Sequence, residues 1–181
     1  MAFVGRARVL AHLLGTIEQA AGGRAHVVLV SGEAGIGKTS LIAEVAGRAG
    51  LRVGWGTCAD ADRAPAFWPW TAALRGLLDG SDPADVRRLA GTDAAELARL
   101  LPELAAGGPA RTEPDDTDAA RLRLFDALAG VLERLARRAP CLVVLDDLQW
   151  ADRSTLEFLR FLARPFRPVP LVVVGAYRRE E

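Results

Sequence analysis

The 181-residue chain lacks any apolar run of the length that crosses a membrane. A membrane-spanning helix needs about 20 consecutive, mostly apolar residues. The first residues, Met1–Arg6, also lack the basic region and long apolar stretch that begin a secretory signal. We therefore expect a cytoplasmic location and no contact with a membrane.

Cysteine and histidine are scarce, with two residues of each. We expect Cys58 just past the carboxyl end of one strand and Cys141 at the amino end of another. Neighbouring parallel strands rise about 3.3 Å per residue, so these two thiols would lie too far apart for a disulfide. They do not form a metal-ligand pair, and we expect both to be reduced packing residues. His12 and His26 are isolated and are interpreted as ordinary surface or boundary residues.

An excess of charge of one sign is also missing, because 23 basic and 23 acidic residues give a formal net charge of zero. A domain that binds nucleic acid usually carries a basic field, so direct binding of nucleic acid by this segment is disfavoured. The remaining composition, 50% hydrophobic and 25% charged, is that of a soluble globular protein. The length suits one αβ domain with a proper core.

Lysine is almost absent, and the single lysine, Lys38, stands in the most informative stretch of the chain. This stretch follows the apolar run Val27–Val30 and leads into a predicted helix at Leu41–Ala46. It fits the phosphate-binding P-loop pattern G-x-x-x-x-G-K-[ST]. The residues expected to bind a nucleotide there are Gly32, Glu33, Ala34, Gly35, Ile36, Gly37, Lys38, Thr39 and Ser40.

The chemistry of a phosphate site explains this choice of residues. Glycines let successive backbone N–H groups curve around an anion, and the helix that follows directs its positive dipole end at the same anion. Lys38 would reach the outer phosphates, and the Thr39 hydroxyl would bind Mg²⁺. A glycine-rich turn without a ligand is the alternative. A Rossmann fingerprint fails because Ser40 stands where a glycine is required.

A second chemical landmark is the apolar strand that begins at Cys141 and ends in Asp146 and Asp147. By itself, this pattern could be an acidic turn at the end of a strand. Together with the P-loop it predicts a Walker B motif, in which Asp146 holds the Mg²⁺ and Asp147 polarises an attacking water. Acids at the carboxyl end of a parallel strand lie where open αβ sheets bind their ligands.

The alternation of predicted strands and helices indicates an α/β fold, a three-layer αβα sandwich with a parallel sheet. We expect the strand order 2-3-4-1, with the P-loop strand in the centre. The last strand is predicted at Leu171–Ala176, and Arg178 lies just beyond its carboxyl end. An arginine there could touch a γ-phosphate, or it could be a surface charge.

Three aromatic residues, Phe67, Trp68 and Trp70, precede a predicted helix. They could form a patch for a partner or a lid over a nucleotide. The interpretation that we favour is that they anchor the helix to the domain, because single aromatics commonly serve that purpose.

Four stretches together resemble the ATPase domain of the STAND class, within the AAA-type P-loop ATPases: 3–6, 31–40, 142–152 and 175–178. The chain is especially similar to the N-terminal module of the large ATP-binding LuxR-family transcriptional regulators of actinobacteria. The Trp-Ala-Asp that follows the paired acids is among the more discriminating features.

The resemblance implies a role for each matching position. Val4, Gly5 and Arg6 would lie near the adenine and ribose, and Gly32 to Ser40 would bind the triphosphate of ATP. Asp146 would hold Mg²⁺, Asp147 would hold the hydrolytic water, and Arg178 would be a sensor arginine, so that Lys38, Asp147 and Arg178 form the catalytic set. In such proteins ATP and ADP set open and closed forms, and turnover is slow. Self-association or downstream domains of a longer protein would be the partners.

The chain departs from the family pattern in three places. Ala7 replaces the usual acid, Asp147 is one methylene shorter than the usual glutamate, and the sequence stops after the fourth strand. We therefore expect residues 1–181 to be one AAA-type ATPase domain that is truncated before its fifth strand and helical lid. The first hypothesis is a slowly hydrolysing switch domain of a signalling or transcriptional regulator. The second is a nucleotide-binding module without turnover, and a small-molecule kinase ranks third because no arginine-bearing lid or acceptor pocket is evident.

Overall fold

A computed structural model describes residues 7–23, 25–59, 64–102, 118–164 and 168–179. The helices in these ranges are α1 (Ala7–Ala21), α2 (Lys38–Ala49), α3 (Trp68–Leu78), α4 (Pro83–Ala90), α5 (Ala94–Leu97), α6 (Asp118–Arg138) and α7 (Arg153–Leu162). The strands are β1 (His26–Gly32), β2 (Arg52–Thr57), β3 (Cys141–Asp146) and β4 (Leu171–Arg178). Short 3-10 turns lie at Gly91–Asp93 and Leu148–Trp150. Within the described ranges, no helix combines the length and the apolar character needed to cross a bilayer.

The four strands form one parallel sheet with the order β1-β4-β3-β2. The predicted α/β class and the predicted order are therefore confirmed. The predicted central position of the P-loop strand is wrong for the described part of the chain, because β1 is an edge of this sheet and β4 and β3 are central.

The side chains of β3 alternate between two hydrophobic layers, as the two-residue period of a strand requires. Cys141, Val143 and Leu145 pack with α3, α6 and α7 on one face of the sheet. Leu142 and Val144 pack with α1 and α2 on the other face. Because both faces are covered, all six residues of β3 are buried. This arrangement is the three-layer sandwich that the sequence predicts.

Helix α3 lies directly on strand β2, and two glycines of the strand make this approach possible. A Cβ atom at Gly54 would lie 2.1 Å from the Ala73 carbonyl oxygen, and one at Gly56 would lie 1.9 Å from the Pro69 carbonyl oxygen. Real Cβ atoms do not approach a backbone oxygen so closely. Close contact between two backbones is a common reason for glycine inside a strand.

The aromatic residues before and within α3 behave in two ways. Phe67 and Trp70 are buried, whereas Trp68 is 41% exposed. The Trp70 ring meets Phe158 edge to face at 4.7 Å, and its Nε1–H donates to the Thr155 carbonyl at 3.2 Å. The anchoring interpretation is therefore confirmed for Phe67 and Trp70 and does not apply to Trp68.

The two cysteines lie at opposite ends of the sheet, as expected. Cys141 opens β3 opposite Arg52, and Cys58 follows Thr57, which is opposite Asp146. Both thiols are free and buried.

Candidate nucleotide-binding site

The predicted functional stretches meet at the carboxyl end of the sheet, because all four strands are parallel and end on that side. Strand β1 ends at Gly32, and β4 ends at Arg178, which is its register partner. The Arg179 N–H also donates to the Gly32 carbonyl at 3.3 Å. Strand β3 ends at Asp146 on the other side of β4. The structure thus brings together the start of the P-loop, the paired acids and Arg178.

The P-loop itself uses glycine where its backbone requires it. Gly35 and Gly37 have φ angles of 70° and 86°, in the left-handed region that other residues rarely adopt. Gly37 comes directly before α2 and has no side chain to cap that helix. The first N–H groups of α2 are thereby left for another acceptor, as an anion site at a helix N-terminus needs.

Lys38 is buried at the start of α2, with 9% of its surface exposed. Its ammonium donates to the Gly32 carbonyl at 2.9 Å and to the Glu33 carbonyl at 2.8 Å. The sequence did not indicate these backbone partners. An ammonium has three N–H donors, so these two contacts hold the charge against the beginning of the loop and leave one donor over.

Thr39 and Asp146 are in direct contact, with the Thr39 hydroxyl donating to Asp146 Oδ2 at 2.8 Å. The alternation of β3 explains this contact, because Asp146 follows Val144 onto the face that α2 covers. Asp146 is buried, and its Oδ1 accepts from the Asp147 N–H at 3.0 Å. The two residues predicted to bind a metal are therefore adjacent.

A hydroxyl and a carboxylate are suitable ligands for Mg²⁺, which prefers oxygen. No cluster of three or more His, Cys, Asp and Glu side chains that could hold a metal occurs in the part of the chain that the structure describes. Mg²⁺ is commonly bound by one or two protein groups together with water and substrate phosphates. The oxygen atoms of Thr39 and Asp146 are suited to this mode of coordination.

Asp147 has a backbone conformation that is rare for a residue with a side chain. Its φ and ψ angles are 55° and 44°, and Phe67 is the other non-glycine residue with positive φ among those described. Such conformations cost of order 1–3 kcal/mol and cluster at functional sites. Asp147 Oδ1 accepts from Gln149 Nε2 at 2.8 Å and lies 3.9 Å from Arg178 Nε.

Arg178 is the last residue of β4, so the predicted position beyond the strand is wrong. The strand continues past Ala176 because Tyr177 and Arg178 pair with Ser31 and Gly32 of β1. The Arg178 side chain is about half exposed, and its backbone N–H donates to Gln149 Oε1 at 3.0 Å. Gln149 therefore contacts both Asp147 and Arg178, and sequence reasoning had given it no role. The sequence feature that could have drawn attention to Gln149 is the presence of a polar residue two positions after the paired acids.

Three acidic side chains also act on Cys58, which lies at the same end of the sheet as the paired acids. Burial raises the pKa of the Cys58 thiol to about 12, and the carboxylates of Asp152, Asp147 and Asp146 add to that shift. The Cys58 N–H donates to the Asp146 carbonyl at 2.9 Å, so the backbones of these two residues are in direct contact. Both burial and neighbouring negative charge disfavour the thiolate, so this thiol stays protonated at neutral pH. The predicted adenine-side residues, Val4, Gly5 and Arg6, lie outside the described residues.

The parallel sheet, the glycine loop before α2 and the paired acids at the end of β3 are the features of a P-loop nucleoside triphosphatase fold. The chain belongs to the AAA ATPase domain family, because the sequence model of that family matches residues 2–174. Membership implies that the domain binds a nucleotide, typically together with Mg²⁺.

A curated relative is an uncharacterized protein of Rhizobium meliloti (strain 1021). It is 26% identical over 174 residues, an alignment that covers 86% of this chain and 16% of that protein. The chain therefore spans about a sixth of the length of this relative.

Proposed function

We propose that this domain binds ATP with Mg²⁺ and hydrolyses it slowly to ADP and phosphate. The observation that carries the proposal is the 2.8 Å contact between Thr39 and Asp146, which joins the P-loop to the acid at the end of β3. The contact joins two residues that are 107 positions apart in the sequence, which supports the proposal that both motifs serve one site. Family membership supports the nucleotide, and the oxygen donors support the metal.

In this proposal, Gly32 to Ser40 hold the triphosphate. The backbone N–H groups of the loop and of the start of α2 donate to phosphate oxygens, and Lys38 supplies a positive charge beside the outer phosphates. Thr39 and Asp146 would hold Mg²⁺, which neutralises charge on the β- and γ-phosphates when it is bound. Val4, Gly5 and Arg6 are proposed for the adenine and ribose on the basis of the family resemblance alone.

For hydrolysis, Asp147 accepts a hydrogen bond from a water and orients it for in-line attack on the γ-phosphorus. Arg178 lies on the same side of the sheet and is proposed to sense the γ-phosphate. The Asp147 side chain is one methylene shorter than the usual glutamate, which is consistent with a low rate. The same feature favours the second candidate function, a module that binds nucleotide without turnover.

The biological role that we propose is a switch domain of a longer signalling or transcriptional regulator. The resemblance to the LuxR-family regulators supports this role, and so does the relative that is about six times as long as the matched region. Such a switch would act through self-association or through further domains of the same protein. These features favour a regulatory ATPase over a small-molecule kinase.

A phosphate-release assay at saturating ATP and Mg²⁺ tests the proposed turnover. We expect a slow wild-type rate above the buffer background and a loss of at least about 100-fold in Asp147→Asn, since an amide cannot accept a proton or hold water as a carboxylate does. Nucleotide affinity should stay within about twofold, because Asp147 is not proposed to bind phosphate. The matched control is Glu18→Gln, a similar charge change on the exposed face of α1.

Two results would contradict the proposed mechanism. A wild-type rate equal to the buffer background would favour the binding module. An unchanged rate in Asp147→Asn would remove Asp147 from the reaction.

A further inference from the structure

Gln149 occupies the space between the second acid of the site and the end of β4. Its amide donates to Asp147 Oδ1 at 2.8 Å and accepts from the Arg178 backbone N–H at 3.0 Å. We propose that Gln149 is a positioning residue that fixes the Asp147 carboxylate for catalysis and ties it to the strand beside the P-loop. This inference rests on the proposed hydrolysis.

The backbone around Gln149 is itself held in place. Gln149 lies in the 3-10 turn Leu148–Trp150, which is closed by the Trp150 N–H donating to the Asp147 carbonyl at 2.9 Å. The Ala151 N–H donates to the Leu148 carbonyl at 3.1 Å. The amide therefore projects from a fixed turn rather than from a free loop, so it can restrain its two partners.

The two hydrogen bonds also fix the orientation of the amide. If the amide were flipped, its oxygen would face Asp147 Oδ1 and its NH₂ group would face the Arg178 N–H. One contact would then pair two acceptors and the other would pair two donors, so both hydrogen bonds would be lost. Only a side chain with a donor at one end and an acceptor at the other satisfies both neighbours at once.

Both side-chain contacts to Asp147 are made to the same carboxylate oxygen, Oδ1. Gln149 Nε2 and Arg178 Nε both approach Oδ1. A partly exposed carboxylate without such a partner would rotate about its terminal bond. Fixing Oδ1 presents Oδ2 in one direction, as the orientation of a water requires.

The other end of the amide reaches the P-loop through β4. Arg178 is the register partner of Gly32, and the Arg179 N–H donates to the Gly32 carbonyl. Lys38 donates to that same Gly32 carbonyl at 2.9 Å. Hydrogen bonds therefore link Lys38 to Gly32, Gly32 to Arg179, and Arg178 through Gln149 to Asp147, with the backbone between Arg178 and Arg179 joining the two parts.

A double-mutant cycle between Gln149 and Asp147 tests the inference in steady-state ATP hydrolysis. Gln149→Glu keeps the acceptor for the Arg178 N–H and replaces the donor to Asp147 by a second carboxylate. We expect kcat to fall about tenfold, the worth of one hydrogen bond to a charged group, with ATP affinity within twofold of wild type. In the Asp147→Asn background, the same substitution should change the residual rate less than twofold. Gln19→Glu, on the exposed face of α1, is the matched control and should behave as wild type.

Amide hydrogen exchange provides a second measurement that is independent of turnover. The Arg178 amide should exchange slowly in wild type and in Gln149→Glu, and at least about tenfold faster in Gln149→Ala, which has no acceptor. Equal exchange in all three proteins would overturn the tie to β4.

The kinetic outcomes separate the inference from the proposed function. Wild-type turnover with independent, multiplicative effects of the two substitutions would overturn the inference alone. A wild-type rate equal to background would overturn the proposed hydrolysis, and the catalytic role of Gln149 would fall with it. A loss of ATP affinity in Gln149→Glu that equals the loss of kcat would show general disruption of the site and would also overturn the inference.

Discussion

At the scale of single residues, the adjacent acids Asp146 and Asp147 differ because a strand ends between them. Asp146 is the last residue of β3, and strand alternation buries it against α2 beside Thr39. Asp147 has already left the strand in a left-handed conformation, and its carboxylate is partly exposed. One acid is therefore suited to hold a cation and the other to reach a solvent molecule.

Trp68 and Trp70 also lie close together in the sequence but in different surroundings, since Trp70 is buried and Trp68 is exposed. The same substitution at both positions therefore tests how much the buried ring contributes to stability. Trp70→Phe should lower the free energy of unfolding by about 1.5–3 kcal/mol, because it leaves the Thr155 carbonyl without its buried donor and opens a cavity beside Phe158. Trp68→Phe, at an exposed position, should change it by less than about 0.5 kcal/mol. Urea denaturation of both variants is the measurement. Equal effects would contradict the anchoring role of Trp70.

At the scale of elements, β2 and α3 form a unit that depends on glycine. Gly56→Ala should lower the free energy of unfolding by about 3 kcal/mol or more, since the new Cβ would overlap the Pro69 carbonyl and push α3 off the strand. Thermal or urea unfolding measures this change.

The control for this prediction is a glycine with free space around it. Gly47 is exposed inside α2, and a Cβ there would have no neighbour within 4 Å. Gly47→Ala should raise stability by about 0.5–1 kcal/mol, because alanine favours a helix interior. A stable Gly56→Ala protein would show that α3 does not lie so close to β2.

The elements that carry the site could be predicted from the sequence for a physical reason. A P-loop needs a strand before it and a helix after it, and an apolar strand that ends in acids delivers them to the same edge of a parallel sheet. The glycine at 37 and the threonine at 39 then follow from backbone conformation and metal chemistry. Apolar residues also recur at helical spacing along α6 (Asp118–Arg138), so the formation of this helix has a local cause in the sequence.

The remaining features depend on partners that are distant in the sequence. The two extra residues of β4 exist because Ser31 and Gly32 offer their backbone for pairing. The edge position of β1 depends on which strands flank it, and hydrophobic periodicity does not contain that information. The Gln149 bridge arises because a 3-10 turn and the end of β4 approach each other in the folded chain, and the polar residue after the paired acids does not by itself reveal those partners.

At the scale of the whole molecule, the two buried cysteines link stability to pH. Burial raises the pKa of Cys58 to about 12 and that of Cys141 to about 11. In the unfolded chain a thiol has a pKa of about 8.5. Above that pH the unfolded state releases thiol protons that the folded state keeps, so stability falls as pH rises.

We therefore expect the free energy of unfolding to decrease from about pH 8.5 upward, approaching about 1.4 kcal/mol per pH unit for each thiol. The measurement is urea unfolding at pH 8 and at pH 10 under reducing conditions. The double variant Cys58→Ala, Cys141→Ala shares every other titrating group, so it is the control. From pH 8 to pH 10, the free energy of unfolding of the double variant should rise relative to that of wild type. An unchanged difference between the two proteins would contradict the prediction that both thiols are buried and protonated in the folded state.

The central claim for the whole molecule is that one nucleotide is held at the P-loop edge of the sheet. Isothermal titration calorimetry with ATP and Mg²⁺ tests it most directly, with Lys38→Ala as the variant and Arg48→Ala as the control. Arg48 is an exposed cation at the other end of α2, paired with Glu44. The account predicts saturable binding at one site per chain for wild type and Arg48→Ala, and affinity lower by about 100-fold or more in Lys38→Ala, since a charge beside phosphate is lost at a site partly shielded from water. Full Mg-ATP affinity in Lys38→Ala would contradict it.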